Sequence, residues 1–209
     1  MLKLIERGKK VLQNYKKSDK IMMRNMEAHR REDRSVAMFT EGDFISHGTN
    51  GVCRVAGFTQ MDVPGTGQKK EYYILKPVYD QKATVYSPVE SGDTLKCRRI
   101  LTEAEARKLI KDIPTLAPIQ ARDRKELEEK CKQAISSGLC SEWVRVIKTL
   151  WEDRRIRMEQ GKKMTAASER FLKQAEEKLH GELAVSLGMD KQEMEEYLVD
   201  LLAVVELKK

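Results

Sequence analysis

The sequence predicts an α+β chain, with a small antiparallel β module first and an all-helical region after it. Seven of the twelve glycines and seven of the twelve aromatic residues fall within residues 38–101. All five prolines lie between positions 64 and 118, so the last 91 residues are proline-free. The apolar spacing changes from alternation to a helical period after Ile100.

The strand-rich stretch divides at its turns. Gly42-Asp43-Phe44-Ile45-Ser46 reads as a short strand, and His47-Gly48-Thr49-Asn50-Gly51 as a turn in which Asn-Gly supplies positive φ. Gly51 to Val63 reads as a longer strand and Pro64-Gly65-Thr66-Gly67 as a hairpin tip. Strands follow at Glu71–Lys76, at Ala83–Ser87 closed by Pro88, and at Leu95–Ile100. Five short strands in so few residues predict a small, strongly bent sheet or barrel.

Helices are expected from Thr102 onward. Thr102-Glu103-Ala104-Glu105 is a capping box. A second helix is expected from about Gln120 to Ile135, stopped by Ser136-Ser137-Gly138. A third runs from about Leu139 to Gln160, with the stripe Leu139, Trp143, Val146, Ile147, Leu150 and Trp151. The fourth starts at Thr165 as N-cap and ends before Gly188, and the fifth starts at Asp190-Lys191-Gln192-Glu193. The predicted organisation is a basic extension over 1–37, a β module over 38–101 and a helical domain over 102–209.

Charge separates these segments. The net charge is +7, but residues 1–37 carry +6 of it and residues 38–209 only +1. Any nucleic-acid contact by the rest of the chain must therefore come from local patches. Residues 1–37 read as a disordered tail, or as an upstream in-frame extension ahead of Met38, with a functional basic arm as the alternative. No run of eighteen apolar residues occurs, so no membrane span is expected. The N-terminus shows no secretory h-region and cleavage site. Cys53, Cys97, Cys131 and Cys140 are scattered, which fits a reducing cytoplasm better than a disulfide scaffold.

Catalytic and cofactor motifs are missing. The sequence has no phosphate-binding or dinucleotide-binding glycine pattern and no nucleophile elbow. His29, His47 and His180 lie in three separate segments and form no metal pair. His47 reads as a turn residue, His180 as a packing residue, and Cys53, Cys97 and Cys131 as small buried hydrophobes. A non-enzymatic protein without cofactor or metal is expected.

Several stretches carry a resemblance. Gly42-Asp43-Phe44-Ile45 followed by Gly51-Val52-Cys53-Arg54-Val55 resembles the opening of the CarD/CdnL family of bacterial transcription regulators. Lys69-Lys70-Glu71-Tyr72-Tyr73-Ile74-Leu75-Lys76-Pro77 is similar to that family's KEYYxLK strand. Ser136-Ser137-Gly138 with Lys148-Thr149-Leu150-Trp151 resembles its SGD…LW helix. Thr165 to Leu172 and Gly181-Glu182-Leu183-Ala184 resemble its LSxxExxxL…GELA segment. The resemblance implies a Tudor-like β module that docks on the β subunit of RNA polymerase. It also implies a helical domain lying against promoter DNA, and a protein that tunes open-complex stability without reading sequence.

On this basis the expected polymerase-contacting residues are Arg54, Met61, Lys70, Tyr73 and Tyr86. Alternation places Tyr72 and Tyr73 on opposite faces, so one of them belongs to the core. Met61 and Tyr86 stand where some family members carry basic residues, which favours a more apolar contact. The expected phosphate-contacting residues are Arg122, Arg124, Lys125, Arg145, Arg155, Arg157, Lys162 and Lys163. Arg145, Lys148 and Arg155 are expected opposite the third helix's apolar stripe. The tryptophan wedge found in several family members falls at or beside Arg124 and is missing, and Arg124→Ala is expected to leave folding nearly untouched. The expected partners are the polymerase β subunit and promoter DNA, bound by a monomer. The alternative is an adaptor whose helical domain contacts protein only.

Overall fold

The computed structural model describes residues 39–200 with side chains and 201–206 as backbone, apart from positions 49, 64, 67, 81 and 90–96. Expectations for 1–37, for part of the hairpin tip and for the start of the last strand lie outside the described residues. The architecture is α+β. Strands β1 (Phe44–His47), β2 (Gly51–Asp62), β3 (Lys69–Pro77), β4 (Val85–Pro88) and β5 (Cys97–Arg99) form one antiparallel sheet in the order β4-β3-β2-β1-β5. Helices α1 (Glu103–Asp112), α2 (Arg124–Ser136), α3 (Cys140–Glu159), α4 (Ala166–Leu187) and α5 (Lys191–Glu206) follow, with a 3₁₀ turn at Ile113–Thr115.

The sheet curls on itself. Ser87 of one edge strand lies 3.5 Å from the Cys97 thiol of the other, so side chains close the seam where no backbone ladder does. Inside the curl sit Phe39, Ile45, Cys53, Val55, Tyr73 and Leu75. Gly42 takes φ 94°, a conformation that favours glycine, and its amide donates to the Val55 carbonyl. A bulge at Ala56 shifts the β2–β3 register between Val55 and Gly57, which bends β2 and re-aims every side chain beyond it. His47, expected in a turn, is instead the last residue of β1 and is buried, with its Nδ1 3.0 Å from the Asn50 amide.

Helix boundaries follow their caps. Thr102 forms the expected capping box, Thr165 caps α4, and Gly188 closes α4 at φ 63°. Helix α2 starts at Arg124 rather than near Gln120. Asp123 caps it, and residues ahead of it form an extended strap pinned to α3. Ile119 donates to Thr149 Oγ1 at 2.7 Å, Arg145 Nε to the Ala117 carbonyl at 3.1 Å, and Lys148 Nζ to the Leu116 carbonyl at 2.6 Å. The helical core gathers Trp143, Val146, Ile147 and Leu150 of α3 with Leu172, Leu179 and Leu183 of α4 and Met194 and Leu198 of α5. Leu139, expected on the stripe, is the exposed N-terminal cap position of α3 instead, and Trp151 is half-buried with its indole N–H on Glu176.

Sheet and helices meet at Arg98. Strand β5 sends this side chain into the helical region, where Nη1 and Nη2 reach the two Glu182 carboxylate oxygens at 2.6 and 2.8 Å. Arg98 Nε donates to the Gly138 carbonyl at 2.6 Å, and the guanidinium lies 5.6 Å from the Trp143 ring centroid. Glu182 is 0% exposed and also accepts the Leu101 amide at 3.1 Å. Burial pulls the Arg98 pKa down, but hydrogen bonds and charge from Glu182, aided by Cys140, outweigh it and raise it overall.

Truncating one member of such a pair strands the other charge. Glu182→Ala should cost about 3–5 kcal/mol, read from denaturant unfolding. Trp143→Ala, at 2% exposure, should cost about 3–5 kcal/mol and Trp151→Ala less. A Glu182→Ala protein as stable as the parent would show that the pair contributes nothing.

His180 gives a pH prediction. Burial, with a smaller push from Lys191, lowers its pKa against the opposing charge of Glu195. The folded protein therefore holds the ring neutral. That stability is complete above the unfolded value of about 6.5 and is lost as pH falls through the folded pKa. His180→Leu should flatten the fall in Tm between pH 7 and pH 5. An unchanged slope would contradict it.

Candidate functional site

Cross-strand register defines a site on the sheet. Residues facing each other across a ladder point to the same side. Beyond the bulge, Gly57 pairs with Ile74, Thr59 with Tyr72 and Met61 with Lys70, while Arg54 pairs with Lys76 before it. On the next strand Ile74 faces Tyr86 and Tyr72 faces Pro88. Arg54, Met61, Lys70, Tyr72, Ile74, Lys76, Tyr86 and Pro88 therefore share one face, turned away from the curled core. Tyr86 is 50% exposed, Met61 is 40% exposed, and Arg54, Lys70 and Lys76 are exposed.

This face has three cations and no carboxylate among the residues the register places on it. Its middle is apolar and aromatic. Gly57 leaves a gap there, since a Cβ would meet nothing within 4 Å. The hairpin tip beyond Tyr72 is two-stranded, because β1 reaches only Arg54 and β4 only Tyr72. The other end of the same face is covered. Ser46 and Val52 are buried there, α4 packs against β2, and Arg98, paired with Ser46 across the β1–β5 ladder, reaches into the helices.

Four of the five sequence-predicted sheet residues come together here, and Tyr73 does not. Tyr73 is on the opposite face, 3% exposed, with its hydroxyl accepting the Phe39 amide at 3.2 Å and its ring 5.4 Å from Phe58. It fills the core, and the outward tyrosine is Tyr72. Sequence reading left out Ile74 and Lys76, although their i+2 and i+4 spacing from Tyr72 marks them once the outward tyrosine is known.

The helical cations divide differently. Arg145 bonds the Ala117 carbonyl and Glu142 at 3.0 Å, and Lys148 bonds three carbonyls. Both serve the strap. Arg124 reaches across to the α4 cap, bonding Thr165 and, at 3.4 Å, Ser168. It joins α2 to α4, a tie between helices that the sequence reading did not include. Arg155 pairs with Glu159 and Arg157 with Asp153. Lys162 bonds the Gln160 side chain. Arg122, 89% exposed, pairs with Glu126, whose pKa is lowered to about 2 by the Arg122 amide and then by Lys130 and Arg122 side chains. Lys125 and Lys163 are exposed and make no hydrogen bond or ion pair among the described residues.

The Arg124–Thr165 contact brings the starts of α2 and α4 side by side. Arg122, Lys125, Lys162 and Lys163 therefore border one end of the helical region, where two helix N-termini also add positive potential. Burial raises the Cys53 and Cys131 thiols to about 11, which removes them as nucleophiles. Among the described residues no group of three or more His, Cys, Asp or Glu could hold a metal, and no helix is long and apolar enough to cross a membrane.

Comparison with known families matches residues 39–100 to the CarD-like/TRCF RID domain. The match covers 62 of the 209 residues and contains the whole sheet, including the outward face and Arg98. This domain is a protein-interaction module of transcription-related, RNA-polymerase-binding proteins rather than a catalytic one. No curated protein matches the chain.

The two tyrosines separate core from surface. Tyr73→Ala should destabilise by about 3–5 kcal/mol, while Tyr86→Ala should stay within about 0.5 kcal/mol. Thermal unfolding of the two variants checks this. Equal destabilisation would overturn the assignment of faces.

Proposed function

We propose that this chain, which carries a CarD-like/TRCF RID domain, is a non-enzymatic transcription regulator with two contacts. The sheet's outward face docks on the RNA polymerase β subunit. The cationic end of the helical region touches promoter DNA through phosphates and so tunes the open complex. The observation that carries the reading is the outward face itself: Arg54, Lys70 and Lys76 around Tyr72, Ile74 and Tyr86, with no carboxylate among them. Aromatic and arginine anchors with a cationic rim suit a protein partner with an acidic border. The small module supplies the docking surface and the helices supply reach.

Support for DNA contact is local. Lys125, Lys162, Lys163 and Arg122 border the helix starts, and such groups give affinity without sequence information. A second reading is favoured by a specific observation: Arg122, Arg155 and Arg157 each pair with a carboxylate, which weakens the field that a polyanion meets. In that reading the helical region binds protein alone, and the chain is an adaptor.

Binding of the full chain to an isolated polymerase β lobe tests the first contact. Arg54→Glu with Tyr86→Ala should weaken it at least tenfold without lowering Tm. Unchanged binding would overturn the docking face. For DNA, affinity should be insensitive to sequence and fall steeply with salt, and alanine at Arg122, Lys125, Lys162 and Lys163 should flatten that slope. A slope near zero in the parent protein would select the adaptor reading.

A further inference from the structure

Helix α4 touches the sheet module at three separate places through one short face. Lys178 Nζ donates to the Gly48 carbonyl in the β1–β2 turn. The Gly181 carbonyl accepts the Tyr79 hydroxyl at 2.9 Å, beyond the end of β3. Glu182 holds Arg98 of β5. These three residues stand at i, i+3 and i+4, so they share a helix face. Gly181 is required there by the closeness of Tyr79, whose Cε2 would lie 2.9 Å from an added Cβ. Burial, and then the charge of Asp190, push the Tyr79 phenol up to about 12, so it stays a donor. The Arg98 and Lys178 cations both approach the Trp143 ring of α3, 5.6 and 5.9 Å from its centroid, and Lys191 of α5 lies 4.9 Å from the Tyr79 ring centroid.

Three anchors on separate segments of the sheet leave no free rotation between the two halves. From this clamp α4 runs back seventeen residues to Thr165, about 25 Å at 1.5 Å per residue. At that far end Arg124 is bonded and Lys162 and Lys163 lie close in sequence. We infer that α4 is a rigid strut. Its clamp makes Arg98, Glu182, Tyr79 and Gly181 positioning residues, which fix the span between the docking face and the cationic end. The fixed span lets a protein lobe and a polyanion be held at once. This inference rests on the two-contact reading above. Its gain is one of effective concentration: the second contact is made intramolecularly only if the spacing is held.

The test uses the full chain with spin labels at Gln60→Cys and Lys173→Cys, two exposed positions outside both contact surfaces. The parent should give a single narrow distance. Arg98→Met with Glu182→Gln removes the charges together and keeps an acceptor for the Leu101 amide. Gly181→Ala displaces Tyr79 at a partly exposed site and serves if the first variant fails to fold. Both should broaden the distance distribution and leave binding to the isolated β lobe and to a short duplex within twofold. Both should speed dissociation from polymerase on promoter DNA at least about tenfold. An unchanged narrow distance in a folded variant would overturn the strut, as would a broadened distance with unchanged dissociation. If the parent itself fails to bind the lobe, the docking reading falls, and the distance measurement still decides whether the clamp exists.

Discussion

A guanidinium–carboxylate pair, half-buried Arg98 with fully buried Glu182, organises this molecule. Glu182 is fully buried and accepts from both Arg98 Nη atoms and from the Leu101 amide, so its charge is compensated from two sides. Arg98 satisfies itself further on the Gly138 carbonyl and over Trp143. A pair of this kind is weak evidence of net stability, because desolvation offsets most of the Coulomb attraction. Its value is geometric. Bidentate contact fixes β5 against α4 and, through Gly138 and Trp143, against the α2–α3 turn and α3. Leu101, which delivers the chain into α1, is tied to the same carboxylate.

The pair also divides the sheet face. Arg98, Ser46 and Val52 lie at the end covered by helices, and Arg54, Lys76, Tyr72 and Tyr86 at the open end. A curled sheet this small has one inner core, and Tyr73 fills it. Everything outward is available either to the helices or to a partner. The cationic and aromatic character of the open end and the burial of the covered end are thus two outcomes of one alternation.

Much of this was legible in the sequence, because local rules decided it. The capping box at Thr102, the Thr165 cap and the Gly188 stop are short-range and were read directly. The outward face was half legible. Simple alternation along β2 would separate Arg54 from Met61, because one number is even and the other odd. The bulge at Ala56 restores them to one face; its one local sign is the isolated Gly57 inside the strand, which does not by itself say where the register shifts. The start of α2 was misplaced because the strap before it is set by Lys148, Arg145 and Thr149, roughly thirty residues away. The same distance effect ties Arg145 to the strap and gives Arg124 its place at the α4 cap. Arg98 carried no signal at all, since its partner lies 84 residues on. The stretches Ser137-Gly138 and Gly181-Glu182 stood out only as resemblances. The structure supplies their reason: Gly138 offers its carbonyl to Arg98, Gly181 makes room for Tyr79, and Glu182 holds the pair.

The junction behaves as part of one folding unit, and the Leu101 amide reports on it directly. Its hydrogen bond to Glu182 exists only while β5 and α4 are locked together. Native-state hydrogen exchange should show this amide protected to the level of the α3 core amides, opening only with global unfolding. Fast exchange at Leu101, with the α3 amides still protected, would show that the sheet and the helices part freely and that Arg98–Glu182 does not hold the molecule together.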